Sequence, residues 1–189
     1  MKTKIPSLGY ALLGLLQGKP SSGYDLRKIF SSTSMRTYSD SPGSIYPALL
    51  RLQKQGFIRG TIEKGSGLRR RQVFRLTPKG LNELKNWISA PVTLEDVARF
   101  PDNVLLRFAF SETLAGPTAS LALLRSFASA LTSQLAALHQ EYESLKKVAP
   151  TSGRLAFECG LRGTETLLQW TQSAITTYEQ LAAKRGGTV

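Results

Sequence analysis

The sequence has little cysteine and little histidine, which limits its chemistry. Among 189 residues there is one cysteine, Cys159, and one histidine, His139. A single cysteine excludes an intramolecular disulfide and is typical of the reducing cytoplasm. No basic residue adjoins Cys159, so we expect a buried, inert thiol. A metal-ligand spacing, a Ser, His and Asp set and a phosphate-binding glycine loop are also lacking. We therefore expect no enzymatic activity, no metal and no cofactor.

Long apolar runs are missing as well. The N-terminal MKTKIPSLGYALLGLLQGKP has two lysines before an apolar stretch, as signal peptides do. However, Pro6, Gly9 and Gly14 interrupt that stretch, and no small-x-small cleavage site follows it. No apolar stretch approaches the length of about 18 residues that a membrane span needs. We expect neither a secretory signal nor a membrane span, and hence a cytoplasmic protein.

Acidic residues are scarce only in the first half of the chain. Residues 1–90 hold 16 Lys and Arg against 4 Asp and Glu, or 16 − 4 = +12, which equals the net charge of the whole chain. Residues 91–189 hold 9 of each and are neutral overall. A solvated basic surface would account for such a bias, but a one-sided excess of this size favours a phosphate-bearing partner, such as a nucleic acid.

The first half predicts three helices, a β-hairpin and a fourth helix. Leucines at helical spacing indicate the helices, period-two alternation indicates the strands, and Thr77-Pro78 caps the last helix. The predicted elements are helices at 5–16, from 21 or 22 to 30 and from about 44 to 55, strands at 57–63 and 71–77, and a helix from 78. This order is that of a winged helix-turn-helix, whose third helix enters the DNA major groove. Tyr10 and Tyr24 are expected in its core.

The start of the third helix, SPGSIYPALLRL, leaves two registers open. Ser41 can cap the helix with Pro42 first, which puts Pro47 one turn inside and removes a bond to the carbonyl of Gly43. Alternatively Ser44 caps it, and Pro47 falls in the first turn, where its missing N–H costs nothing. Either start presents free N–H groups and hydroxyls, which favour an anion. Ile45, Leu49 and Leu52 form the predicted buried stripe of the helix, and the opposite side, with Ala48, is expected to be polar and basic.

Several linked motifs in this half resemble those of one family. GYALLGLL, SGYDL, SPGSIYPALLRLQKQGFI and RRRQVFRLTPKGLNEL together resemble the PadR family of bacterial transcriptional regulators over residues 5–88. The resemblance implies a dimeric DNA-binding repressor or activator, and we expect a repressor at a pseudo-palindromic operator. It also implies DNA contacts by the start of the third helix and by the wing, which here are Ser41, Ser44, Tyr46, Arg51, Lys64, Arg69 and Arg70.

Each of these DNA contacts has a simpler alternative. Tyr46 could only cover the flank of its helix, and Arg51 could be a solvated helix residue. Arg71 follows Arg69 and Arg70, and three successive arginines beside a glycine-bearing turn favour phosphate over solvated loop charges. Such a wing raises affinity for any DNA more than it raises sequence discrimination.

The second half predicts long helices. A proline-broken segment at 88–103 separates a DNA-binding domain, residues 1–90, from an α-helical dimerisation domain, residues 91–189. Helices are predicted at about 102–113, from Gly116-Pro117 onward and at about 154–184. The middle one carries a coiled-coil heptad pattern, at Leu121, Leu124, Ala128, Leu131, Leu135, Leu138, Tyr142 and Leu145. The apolar face of the last helix is wider than one neighbour needs, so we expect a homodimer of antiparallel helices. The pattern resembles a virulence-activator-like C-terminal domain.

Aromatic residues of the second half suggest a ligand site. Phe108, Trp170 and Tyr178, with Phe110 and Phe127, could line a pocket for a small apolar or aromatic effector. Core packing is the alternative for each of them, because aromatic residues at helical spacing usually form core.

The expected fold class is mainly α, with a small β-hairpin wing, an N-terminal winged helix-turn-helix and a C-terminal antiparallel long-helix domain. A sequence-specific regulator of transcription that binds double-stranded DNA, and no membrane, fits it best. The alternative is a winged-helix module that binds RNA or a protein partner.

Overall fold

The protein is described by a computed structural model over residues 5–33, 35, 38, 41–64 and 70–186. It forms two compact units, Met1–Trp87 and Ile88–Val189. The sequence placed the division at residue 90. The helices are α1 (Ser7–Gly18), α2 (Gly23–Ser32), α3 (Pro42–Lys54), α4 (Pro78–Ser89), α5 (Leu94–Arg99), α6 (Pro101–Leu145) and α7 (Thr151–Gly186), and the strands are β1 (Ser21–Ser22), β2 (Ile58–Lys64) and β3 (Arg70–Leu76).

The first unit has a core formed by its first three helices. The buried side chains of these helices include Leu12, Leu13, Leu16, Leu26, Phe30, Ile45, Leu49 and Leu52, which confirms the predicted stripe of α3. The start of α2 is fixed by a capping box, in which the Ser22 hydroxyl accepts from the N–H of Asp25 and the Asp25 carboxylate accepts from the N–H of Ser22. The side chain of Asp25 thus belongs to the first turn of α2.

A three-stranded antiparallel sheet lies beside these helices, in the order β1-β3-β2. The predicted hairpin pairs from Ile58 with Leu76 to Lys64 with Arg70, and its turn, 65–69, lies outside the described residues. The sequence missed β1, where Ser21 and Ser22 pair with Phe74 and Val73. Two polar residues carry no alternation that could predict a strand.

The segment Thr77–Gly80 packs the start of α4 against the residues that follow α3. Gly56, with φ of +76°, ends α3 in the left-handed region, as its sequence position suggested. The Thr77 hydroxyl donates to the Gly56 carbonyl at 2.8 Å and accepts from the N–H of Gly80 at 3.0 Å. A Cβ on Gly80 would lie 2.1 Å from the carbonyl oxygen of Phe57, so this position accepts only glycine.

Tyr10, which the sequence predicted to be part of the core, is half-buried. Its ring stacks on Trp87 with centroids 4.1 Å apart, and its hydroxyl donates to Glu83 at 3.1 Å. Burial raises the pKa of Tyr10, and the Glu83 carboxylate raises it further.

In the second unit, the proline-broken segment at which the sequence placed the domain boundary contains α5. A second capping box fixes it, in which Thr93 and Asp96 exchange hydrogen bonds. The T-x-x-D spacing was its only sequence signal. Arg107 of α6 is buried and donates to the carbonyls of Ile88, at 3.1 Å, and Ala90. Burial lowers the pKa of Arg107, which the Asp96 charge opposes.

α6 consists of two helical parts that meet at Gly116. Gly116 has φ of +83° and ψ of 171°, and Pro117 follows it, so the predicted helix start at Gly116-Pro117 appears as a break in one long element. The Ser111 and Ser120 hydroxyls on either side of the break lie 2.6 Å apart in the interior. By length and composition alone, α6 could cross a membrane, as core helices of soluble proteins also can.

α6 and α7 pack as an antiparallel pair. Tyr142 contacts Glu158 near the turn between the helices, whereas Arg125 contacts Glu179 and Tyr178 contacts Glu112 farther from it. The heptad positions Leu124, Leu131 and Leu135 are buried. The heptad stripe therefore has a partner helix within its own chain. The core of the unit comprises Val97, Val104, Leu123, Phe127, Ala130 and Leu131.

Candidate nucleic-acid interface

α3 begins at Pro42, and Ser41 is its cap. The Ser41 hydroxyl accepts from the N–H of Gly43 at 3.2 Å, and its carbonyl accepts from Ser44 and Ile45 at 3.1 Å each. The predicted start near residue 44 is therefore wrong, and of the two caps that the sequence left open, Ser41 and Ser44, the structure has Ser41. Pro42, whose φ is fixed at a helical value, already forms the first turn. Pro47 lies one turn inside the helix, where it cannot donate to the Gly43 carbonyl.

The outer side of α3 is exposed from its first turn onward. Ser41, Pro47 and Arg51 are exposed, Tyr46 is 44% exposed and Ser44 is partly covered. The predicted polar side is wrong at Ala48, which is 6% exposed, because it packs toward the N-terminal end of α1. Sequence reasoning also overlooked Leu50, which is exposed on the outer side of the helix.

The ring of Tyr46 lies against the first residue of α2. A Cβ built on Gly23 would lie 2.6 Å from Cε1 of Tyr46, so the ring occupies the space that any other residue at 23 would fill. The next residue, Tyr24, is 65% exposed. The prediction that Tyr24 belongs to the core is wrong, because the capping box orients the first turn of α2 so that Leu26 and Phe30 point inward. Tyr24 is thus a candidate contact that sequence reasoning missed, and its place directly after a capped helix start was the one available signal.

The wing presents basic side chains on β3. Arg70 and Arg71 are exposed, and they pair across the hairpin with Lys64 and Glu63. Arg69 lies outside the described residues. Arg75 forms an ion pair of 2.9 Å with Glu63, which leaves the positive charge concentrated toward the tip.

Asp25 connects the start of α2 with the wing. Its carboxylate lies 3.7 Å from Nη1 of Arg71, and both side chains are partly exposed. The Ser22 hydroxyl, which donates to this carboxylate at 2.8 Å, is the main cause that lowers the pKa of Asp25, and Arg71 also contributes. Through Gly23 and Asp25, the start of α2 therefore touches both Tyr46 of α3 and Arg71 of the wing.

This arrangement suits a polyanion. A helix start with exposed hydroxyls, two exposed tyrosines and a basic wing are neighbours in a unit that carries the whole net charge of the chain. Basic side chains bind phosphates without reading sequence, while the start of a helix can reach base edges. Both kinds of contact are thus offered by the same part of this unit.

A second candidate site lies in the other unit. Phe108 meets Trp170 and Tyr178 in edge-to-face contacts, with centroids 5.8 and 5.9 Å apart. The three residues that the sequence assigned to an effector site are therefore neighbours. Phe127 is buried core, and Phe110 is half-buried. The Tyr178 hydroxyl donates to Glu112 at 2.7 Å, and burial together with this carboxylate raises the pKa of Tyr178.

Catalytic and metal chemistry has little support in the part of the chain that the structure describes. No group of three or more His, Cys, Asp or Glu side chains there could hold a metal ion. His139 lies 3.5 Å from Glu165 on the surface. Cys159 is exposed, so the prediction of a buried thiol is wrong: its position on α7 faces away from α6.

Comparison with known proteins identifies a family match within the first unit. Residues 12–86 match the transcriptional regulator PadR-like family. A curated relative, the negative transcriptional regulator PadR of Bacillus subtilis (strain 168), is 33% identical over 115 residues, which make up 60% of this chain and 61% of the relative. The match thus spans less than two thirds of that relative. Because this is a family of transcriptional regulators, the match agrees with the expectation that the protein has no enzymatic activity.

Two solved structures are also similar to the chain. Bacillus subtilis PadR in complex with operator DNA is 24% identical, over 92% of this chain and 99% of that one, with a TM-score of 0.43. Bacillus subtilis PadR in complex with p-coumaric acid is 25% identical, over 95% and 99%, with a TM-score of 0.37.

Proposed function

We propose that this chain, which carries a transcriptional regulator PadR-like domain over residues 12–86, is a sequence-specific DNA-binding regulator of transcription. The observation that carries the proposal is the contact of the α2 start with both α3 and the basic wing. The name of the curated relative, a negative transcriptional regulator, favours a repressor. As a cytoplasmic homodimer, the protein would bind a pseudo-palindromic operator.

In this proposal, the N-terminal turns of α3 enter the major groove. Ser41, Ser44 and Tyr46 lie in the first two turns and contact base edges or the adjoining phosphates, and Arg51 follows toward the backbone. Tyr24 extends this surface from α2.

The wing binds the DNA backbone beside that groove. Lys64, Arg69, Arg70 and Arg71 provide the charges, and each phosphate they neutralise releases condensed counterions. Arg71 exchanges its partner Asp25 for a phosphate. Affinity would therefore fall steeply with salt, whereas discrimination between operators would depend on α3.

The second unit provides dimerisation and effector response. Two recognition helices must meet successive major grooves about 34–36 Å apart, so the α6–α7 pair of each protomer sets their spacing. The aromatic cluster of Phe108, Trp170 and Tyr178 is the proposed effector site.

The wing assignment is tested by replacing Arg69, Arg70 and Arg71 with alanine. We expect the variant to bind all DNA sequences more weakly, and the slope of log affinity against log salt to flatten by up to about 2.7, or 0.9 for each lost phosphate contact. Fluorescence anisotropy over a salt series on operator and scrambled duplexes measures both. The matched control replaces Arg99, Lys146 and Lys147 of the second unit, which removes the same charge and should leave the slope unchanged.

Two outcomes would count against the proposal. A change in sequence preference with unchanged general affinity would contradict the wing assignment. Tighter binding to structured RNA than to duplex DNA, or binding without salt dependence, would favour the alternative of an RNA-binding or protein-binding winged helix. Footprinting on the DNA that flanks the protein's own gene would locate the operator.

A further inference from the structure

A cavity lies beside the break in α6. It has a volume of about 300 Å³ and is lined by residues of α6 and α7, among them Glu112, Pro117, Thr118, Leu121, Tyr178 and Leu181. Gly116 leaves the helical conformation directly before Pro117. Glu112, before the break, and Pro117, Thr118 and Leu121, after it, therefore line the cavity from two different helical parts of α6. Volumes near 300 Å³ are at the lower end for small-molecule sites.

The lining is mostly apolar but contains one carboxylate. Glu112 accepts the hydroxyl of Tyr178 through Oε2 at 2.7 Å, and a carboxylate has further lone pairs to offer. Among the described residues, no cation forms an ion pair with Glu112. Arg125, one turn beyond Leu121, is already paired with Glu179 at 2.8 Å. The cavity thus combines an apolar space with an exposed carboxylate that pairs with no cation among the residues the structure describes.

An aromatic wall adjoins this charge. Tyr178 lines the cavity and also meets Phe108, which in turn meets Trp170. Aromatic faces attract cations, and their area favours flat apolar groups. The proposed effector cluster and the cavity are therefore parts of one site, which Tyr178 joins.

We propose that this cavity binds a small hydrophobic cation, namely a primary amine that carries one aromatic ring. The ammonium group pairs with Glu112, and the ring packs among Pro117, Leu121 and Leu181. An aromatic carboxylate is disfavoured, because its charge would meet the carboxylate of Glu112. A regulatory role for such a ligand rests on the proposed function, whereas its binding does not.

Calorimetric titration of the full-length protein, without DNA, tests the proposal with three probes of one shape: benzylamine, benzyl alcohol and benzoate. We expect benzylamine to bind most tightly and benzoate most weakly. Glu112→Gln keeps an acceptor for Tyr178 but removes the charge, so it should lower the affinity for benzylamine about fivefold, as expected for a partly exposed ion pair. The affinity for benzyl alcohol should not change.

Two further variants complete the test. Glu141→Gln makes the same change in net charge at an exposed position of α6 outside the cavity lining, and it should leave all three affinities unchanged. Ala182→Phe, in the cavity lining, fills the space and should abolish binding of both benzylamine and benzyl alcohol. Circular dichroism confirms that each variant is folded.

The proposal is overturned if benzoate binds as tightly as benzylamine, if no probe binds, or if Glu112→Gln leaves the benzylamine affinity within twofold of the original. Even if a variant fails to fold, the affinities of the unaltered protein for benzylamine, benzyl alcohol and benzoate still test the proposal. Operator binding is measured separately. Its failure, with benzylamine binding intact, would contradict the proposed function but not the amine site.

Discussion

At the scale of single residues, Gly23 determines where the exposed Tyr46 ring lies. Replacing Gly23 with alanine puts a Cβ 2.6 Å from Cε1 of that ring, so the ring must move. Because Tyr46 is exposed and can rotate away, we expect stability to change by less than about 1 kcal/mol. Operator affinity should fall about five- to tenfold, the equivalent of one lost contact. Anisotropy titration and thermal unfolding measure the two effects.

A double-mutant cycle shows whether Gly23→Ala lowers operator affinity through the displaced ring of Tyr46 or through a wider change in the first unit. If Gly23 acts only by placing the ring of Tyr46, then Gly23→Ala should add little to Tyr46→Ala. Fully additive losses would mean that Gly23 affects DNA binding by another route.

Single positions were also where sequence reasoning was least reliable. The sequence predicted Tyr24 in the core and Cys159 in the interior, yet both are exposed. In each case, helix rotation decides the exposure, and packing against neighbouring elements fixes that rotation. The cap of α3 was undecided because Ser41 and Ser44 both satisfy the local rules; the structure selects Ser41.

At the scale of elements, the Thr77–Gly80 segment holds the start of α4 against Gly56 and Phe57, which lie between α3 and β2. Gly80→Ala would put a Cβ 2.1 Å from the Phe57 carbonyl oxygen, a backbone atom that cannot rotate away. We expect a loss of about 3 kcal/mol in the free energy of unfolding of the first unit. Urea unfolding followed by Trp87 fluorescence, with Trp170 replaced by phenylalanine, measures it.

Gly18→Ala is the matched control for this prediction. A Cβ at Gly18, the last residue of α1, would meet no atom within 4 Å, so the change should stay within about 0.5 kcal/mol. Equal stability of the two variants would contradict the close approach of α4 to Phe57.

Elements with a strong period were predicted from the sequence, and those without one were missed. Leucine spacing predicted α1, α3 and α6, and alternation predicted the hairpin. β1 has two residues and no apolar member, and α5 has six residues between prolines. Such short elements form only because a neighbouring element is present: β1 pairs with β3, and α5 packs against α6. Local propensity cannot reveal this.

At the scale of the whole molecule, the apolar surface of α7 exceeds what α6 covers. Gly163, Trp170 and Leu181 follow one another at spacings of seven and eleven residues, which puts them on one side of the helix. Gly163 is exposed, and Trp170 and Leu181 are 41% and 47% exposed. The heptad pattern of α6 predicted a partner helix but could not tell a helix of the same chain from a helix of another protomer. Because α7 already packs against the heptad stripe of α6 within the chain, the proposed homodimer depends on the exposed side of α7 that carries Gly163, Trp170 and Leu181.

We therefore expect Gly163→Glu to separate the protomers. A Cβ at Gly163 would meet no atom within 4 Å in the protomer, so its fold should be unaffected, while a charge would enter the proposed dimer contact. Sedimentation equilibrium should give a mass of one chain, 20.7 kDa, instead of two. Full-operator affinity should fall by more than tenfold, with half-site affinity unchanged, because two linked domains no longer bind together. Gln172→Glu, exposed on the opposite side of α7, should stay dimeric. If Gly163→Glu also remains a dimer, the protomers meet elsewhere.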